Sequence, residues 1–265
     1  MLIVKIIIVW TLVNVLLHLL LLKPNGEIEA LYYEKDNDIA SYFIPGINAP
    51  PREVFEAYVA SMAGNVYLVN HSHFGFNPTL LAHQIKAHIR SHRYTKSNIY
   101  AISVGCKVAQ KLEKSTSNSV LLNPCLKPVH LKTGLRVLLS IITPILMLLR
   151  FVLGVLADLP IIPIDGMWRS LAENIEQLFY IAWIPYDIPR NVRGVILSQA
   201  DQFLNNREII RDLDNDSRKQ LSTKGTEDAK KQVSHVKNVV LADIGHADIR
   251  NKAYLELGRE LGIFK

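Results

Sequence analysis

The hydrophobic positions of this chain fall into two kinds of run: two long apolar blocks, and a series of short apolar segments separated by polar or amphipathic stretches. The short segments are Ala40 to Ile44, Asn65 to Val69, Ile99 to Ile102, Ser119 to Leu122, Gly194 to Ser198 and Asn238 to Ala242. Their apolar character is continuous instead of alternating, which predicts strands buried on both faces. Helical patterns lie between them: about Glu53 to Met62, Pro78 to Arg93, Val104 to Leu112, an apolar insert over Leu131 to Tyr186, a polar stretch over Asn206 to Val233, and a terminal helix from about Ile249 to Leu261. Asn77 is an expected N-cap, with Pro78 in the first turn behind it. Gly26 to Asp38 reads as an acidic, irregular connection. Strands alternating with helices predict an α/β fold: a mostly parallel central sheet flanked by helices.

The two long blocks are Leu2 to Leu22 and Val137 to Leu156. In the first, Ile6 to Leu22 is broken only by Thr11, Asn14 and His18; as an N-terminal hydrophobic helix it spans roughly 25 Å, close to a bilayer core. Few charges precede it and no A-x-A site follows, so a retained single-pass signal-anchor is favoured over a cleaved signal peptide, which would make the protein secreted. The organisation expected is an anchor over 1–23, a connector over 24–39 and a folded domain over 40–265, with 127–190 as a cap insertion. The second block is also long enough to span a membrane. A single crossing there would separate strands of one sheet across the bilayer, which backbone hydrogen bonding forbids. It is therefore expected either to cap the domain or to dip into the lipid interface.

Charge narrows the partners. The 265 residues carry a formal net charge of +6, but the basic residues are scattered, without interleaved aromatics. A nucleic-acid groove is not expected; the charge reads first as a solvated surface, and attraction to anionic headgroups is the alternative it allows. Cys106 and Cys125, the only cysteines, are expected to pack as small apolar side chains.

Candidate chemistry centres on Ser97 to Lys107, S-N-I-Y-A-I-S-V-G-C-K. An apolar run ends in Ser103, with Ala101 two residues before and Gly105 two after, and the chain then turns helical. A serine at a sharp strand-to-helix turn is strained and requires small neighbours at those two positions. Asp201 and His246 follow later strands in the same way, and reactive groups in parallel sheets gather at the carboxyl ends of strands. Asp165, Asp187 and Asp243 are rival acids: the first lies inside the cap, the second precedes its strand, and the third abuts His246. His71 and His73 have i, i+2 spacing, but no third ligand follows at a suitable distance and no metal is expected. His83, His88 and His92 read as one polar helix face. D-L-D-N-D-S at 212–217 imitates a calcium loop, yet Ser217 replaces its glycine and Thr223 its bidentate glutamate.

A-I-S-V-G at 101–105, L-L-N-P at 121–124, S-Q-A-D at 198–201 and G-H-A-D at 245–248 resemble the motifs of the α/β-hydrolase superfamily, in the family's chain order of serine, acid and histidine. The resemblance covers the chain from about Ala40 to Leu261 and implies an α/β-hydrolase fold with a helical apolar cap inserted before the acid-bearing strand. It implies Ser103 as nucleophile, His246 as general base and Asp201 as its orienting acid, with the backbone N–H groups of Val104 and Ile47 forming an oxyanion hole. Gly46, His73, Phe74, Leu146 and Leu149 are the expected substrate-lining positions. The implied activity is hydrolysis of carboxylic esters without metal or organic cofactor, and the two apolar blocks add a membrane location and a lipophilic acyl substrate. The alternatives are a silent hydrolase-fold scaffold and an acyltransferase that passes the acyl group to an alcohol.

Overall fold

The structure is a computed structural model, which describes residues 27–47, 52–70, 76–157, 166–198, 200–223, 238–242, 256 and 259. Its strands are β1 (Glu27–Tyr32), β2 (Ile39–Ile44), β3 (Asn65–Asn70), β4 (Lys96–Ile102), β5 (Asn118–Leu122), β6 (Val192–Ser198) and β7 (Asn238–Ala242). Its helices are α1 (Arg52–Glu56), α2 (Pro78–Ser91), α3 (Cys106–Leu112), α4 (Thr133–Ala157), α5 (Gly166–Trp183) and α6 (Asn206–Thr223).

Among the described residues the strands form one seven-stranded sheet in the order β1-β3-β2-β4-β5-β6-β7. β1 is antiparallel to β3, and every other pair is parallel. Because side chains alternate along a strand, each strand feeds two cores. Tyr42, Ile44, Ala101 and Leu121 enter one, under α2, α3 and the cap helices. Phe43, Tyr100, Ile102, Val120, Leu122 and Ile196 enter the other, where Phe43 packs on Phe55 of α1 with ring centroids 5.2 Å apart. This is the doubly covered parallel sheet expected from the continuous apolar runs.

Two boundaries differ from the sequence reading. Glu27 to Tyr32 is an edge strand and not an irregular connector: E-I-E-A-L-Y pairs with β3 from Glu27 opposite Asn70 onward, and mixes exposed with partly buried positions. α1 ends at Glu56, followed by a 3-10 turn at Val59–Ser61. There Tyr58 folds in against Phe43, with ring centroids 5.9 Å apart. The polar helix α6 runs to Thr223; its expected continuation to Val233 lies outside the described residues, as do the N-terminal hydrophobic block and nearly all of the terminal helix. The 212–217 segment that imitates a calcium loop is part of α6.

The cap insertion consists of α4 and α5, which pack on each other. Its entry is stitched to the loop after β6. The Lys132 amide donates to the Phe203 carbonyl at 2.9 Å, the Asn205 amide donates to the His130 carbonyl at 2.6 Å, and Leu131 bridges Leu204. Its exit is held to the loop after β5 by the Tyr186 amide, which donates to the Leu126 carbonyl at 2.9 Å.

Candidate active site at the carboxyl rim

Ser103 stands where β4, a central strand, gives way to a 3-10 turn and α3, and its φ of 52° lies in the left-handed region. An L-residue holds that conformation only where its surroundings enforce it. The Ser103 carbonyl accepts from the Cys125 amide at 3.2 Å and from the Cys106 amide in the following turn. Two glycines allow the chain to approach this closely. A Cβ on Gly105 would lie 2.5 Å from the carbonyl oxygens of both Ile44 and Pro45, and a Cβ on Gly46 would lie 2.8 Å from the Ser103 Cβ. The position two residues before the serine is less demanding. Ala101 is fully buried in register with Ile44 and Leu121, and its single methyl fits.

The turn after β2 therefore abuts the Ser103 turn directly, bringing Gly46 and Ile47 to the corner where Ser103 and Val104 begin the helical turn. Amides in a first helical turn have no acceptor within the helix and point outward. The Ile47 and Val104 amides belong to this corner.

Asp201 lies three residues beyond the end of β6 and is buried. One carboxylate oxygen accepts from the amides of Phe203 at 2.7 Å and Leu204 at 2.9 Å, which fixes the group. The Lys132 ammonium donates to the Asp201 carbonyl at 2.6 Å. Cys125 links this acid to the serine: its amide bonds Ser103, and its thiol is pushed up to about 12, first by burial, with a further upward contribution from the charge of Asp201 opposed by Lys107. Of the rival acids, Asp187 is exposed and precedes β6, while Asp165 and Asp243 lie outside the described residues.

His246, His73 and Phe74 also lie outside the described residues. The described histidines have other roles. His83 is exposed on α2. His88 and His92 stack on each other in a cluster with Tyr67 and Tyr94, with His88 hydrogen-bonded to Tyr42 at 2.9 Å; Asn65, at the start of β3, bonds Tyr94 and sets this cluster toward the amino end of the strands. Burial, then the neighbouring His92, lowers His88 to about 4.

His130 is fully buried. Its Nδ1 accepts from the Leu126 amide at 3.3 Å, so its Nε2 carries the proton and donates to Asp212 at 2.9 Å. With both ring nitrogens engaged it pins the cap entry to α6 and has no lone pair to receive a serine proton. Lys127 joins the pair, 2.9 Å from Asp212.

Sequence reasoning missed several supports of this rim. Asn123 directly follows β5 with φ at 45°, and its side-chain oxygen accepts from the Ser198 amide at 2.5 Å, locking the ends of β5 and β6 together. Asparagine before proline at a strand end is the signal that could have found it. Arg150 of α4 and Glu176 of α5 form a fully enclosed ion pair, Nε to Oε1 at 2.7 Å. The second Glu176 oxygen accepts from the Phe76 amide at 2.6 Å, directly after the segment holding His73 and Phe74. Lys107 is buried in α3, donating to the carbonyls of Leu126 at 2.8 Å and Ile184 at 2.5 Å, with its ammonium 5.0 Å from the Tyr186 ring centroid. Of the expected cap positions, Leu146 packs against the core, whereas Leu149 stands on the outer, exposed face of α4.

No protein-family model matches the chain, and no curated protein matches its sequence. Solved structures do match its fold. A carboxylesterase structure from the ammonia-oxidizing thaumarchaeon Nitrososphaera gargenis aligns with a TM-score of 0.57 at 11% identity, over 90% of this chain and 94% of the other. A thermophilic esterase from Thermogutta terrifontis aligns with a TM-score of 0.54 at 12% identity, over 89% and 93%. An α/β-hydrolase enzyme from a deep-sea metagenome library aligns with a TM-score of 0.52 at 14% identity, over 90% and 92%. The chain thus has the α/β-hydrolase fold.

Proposed function

We propose that this protein is a serine hydrolase that cleaves carboxylic esters of lipid-like substrates through an acyl-serine intermediate. The observation that carries the reading is the Ser103 backbone: a left-handed serine at the carboxyl end of a central strand, with Gly46 and Gly105 at distances only glycine tolerates. Strain of this kind, held by two separate close approaches, is characteristic of a nucleophile elbow. The esterase structures that share the fold support the same reaction class.

In the proposed reaction the Ser103 hydroxyl attacks the ester carbonyl while His246 accepts its proton, and the Val104 and Ile47 amides stabilise the developing oxyanion. His246 then returns the proton to the departing alcohol. Water, activated by the same imidazole, releases the acid. Asp201 holds the imidazole in the tautomer that leaves one nitrogen free to act as base. Two features support His246. Ala242 at the end of β7 pairs with Ser198, which lies just before Asp201. Four further residues reach up to about 14 Å, enough for the loop after β7 to arch back over the rim. The buried substrate-side lining is expected from Gly46, Leu146 and the His73–Phe74 segment.

The test is labelling with a fluorophosphonate probe. Wild-type protein labels, while Ser103→Ala and His246→Ala do not. A folded wild-type protein that resists labelling overturns the reading.

A further inference from the structure

Helix α4 is inside out. Its buried positions follow one stripe, Leu139, Thr143, Met147 and Arg150, and half of these are polar. Thr143 accepts from the Trp183 indole at 3.0 Å, and Arg150 is sealed against Glu176. The opposite stripe, Val137, Ile141, Ile145, Leu148, Leu149 and Val152, is exposed, with Ile141 and Ile145 at 63% and 62%. A helix at a water-facing surface places its apolar stripe inward and its charges outward. Here the polarity is reversed, as expected for a helix whose outer surroundings are more apolar than its inner ones.

Length and composition would let Thr133 to Val152 cross a membrane, but two observations place it along a surface. Its inner stripe packs on the hydrolase core, and β5 before it and β6 after it pair in one sheet. Phe203, 47% exposed beside Asp201, adds an apolar side chain near the start of α4, where its carbonyl accepts from the Lys132 amide.

The occupant is indicated by where the N-terminal apolar block attaches. Glu27, the first residue of β1, pairs with Asn70, the last residue of β3. β3 runs parallel to β2 and β4, so Glu27 sits at the carboxyl rim, the end of the sheet that carries Ser103 and the cap. Only Lys23 to Gly26 separate this point from the apolar block 2–22, a tether of at most about 14 Å. The chain therefore enters β1 at the same end of the sheet that carries the cap.

We infer that the outward face of α4, with Phe203, seats on a lipid bilayer surface and turns the Ser103 rim toward the membrane. α4 lies in the headgroup–acyl boundary as an amphipathic surface helix, while the net positive charge favours an anionic bilayer. The contact stands on the α4 surface alone; its role, delivering a bilayer-dissolved ester to Ser103, rests on the hydrolase reading.

The test uses the full chain reconstituted in vesicles of four parts phosphatidylcholine to one part phosphatidylserine. An environment-sensitive fluorophore is attached through Ile145→Cys, or through Lys35→Cys in the exposed turn at the far end of the sheet; both native thiols are buried. Quenching by spin-labelled acyl chains at position 145 and not at 35 is expected. An unquenched probe at 145 overturns the inference, whether water, residues 1–22 or a second copy of the chain covers the face.

The Ile141→Ser/Ile145→Ser variant adds a functional readout. It keeps its turnover of a water-soluble acetyl ester and loses about tenfold on an ester dissolved in the vesicles. Equal turnover of both esters by variant and wild type overturns the delivery role. Wild-type protein inert toward both esters, with the probe at 145 still quenched, defeats the hydrolase reading and leaves the lipid contact standing.

Discussion

A methyl group on Gly46 would meet the Ser103 Cβ at 2.8 Å. The turn after β2 and the Ser103 turn after β4 thus share one corner, and in the proposed reaction the spacing between them sets where the oxyanion lies. Gly46→Ala pushes the two apart by several tenths of an ångström without touching the hydroxyl. Misplacement on the scale of an ångström lowers turnover by about a hundredfold. The expected result is a fluorophosphonate labelling rate one to two orders of magnitude below wild type with little change in unfolding midpoint. An unchanged labelling rate would remove Ile47 from the oxyanion hole.

Asp201 and Asp187 make opposite predictions. Asparagine at 201 keeps an oxygen for the Phe203 and Leu204 amides, so the loop survives while the negative charge is lost. Loss of the orienting acid's charge lowers kcat by about 10⁴ in the serine–histidine–aspartate template, and Asp201→Asn is expected to approach that figure. Asp187→Asn, at an exposed position, leaves kcat within twofold. A soluble chromogenic ester reports both.

The Arg150–Glu176 pair couples the cap to the loop after β3. Breaking an enclosed pair leaves one charge stranded, which destabilises by about 3–5 kcal/mol, whereas replacing both partners with apolar groups of similar volume is often neutral. Glu176→Gln is therefore expected to lower the denaturant midpoint markedly, and Arg150→Met/Glu176→Leu to recover most of it. A double variant less stable than Glu176→Gln, which keeps an oxygen for the Phe76 amide, would show that this hydrogen bond, not the charge pair, holds the cap.

Which of these features the sequence disclosed follows from their range. Continuous apolar strands and a serine between small residues are local signals, and they disclose the sheet, the sharp turn at Ser103 and the position of Asp201 after a strand end. β1 resembles a connector in sequence because an edge strand half open to water carries acidic residues on one face, as E-I-E-A-L-Y does. The apolar block in α4 was visible, but a composition does not say which side of a helix faces out. Arg150 and Glu176 are 26 residues apart, and His130 and Asp212 are 82 apart. Pairs at such distances leave no periodic trace, so the supports of the rim emerged only in three dimensions.

Lys107 gives the protein a distinctive dependence of stability on pH. Burial, partly offset by the neighbouring Cys125 and Cys106, lowers its ammonium to about 8 in the folded state, against an ordinary value near 10.5. Between those values the unfolded chain holds a proton the folded chain has released, so stability rises with pH; below about 8 both forms are protonated and that contribution is lost. The slope is at most about 1.4 kcal/mol per pH unit. The cysteines oppose it. Burial raises Cys106 well above its ordinary value and Cys125 to about 12. Above about pH 9 the unfolded chain therefore loses thiol protons that the folded chain keeps, and stability falls. Denaturant unfolding of the wild type should become harder from pH 8 to about 9 and easier beyond. Lys107→Met, which leaves the Leu126 carbonyl bonded to the Tyr186 amide, should lose the rise and keep the fall. A rise that persists in the variant would assign it to another group.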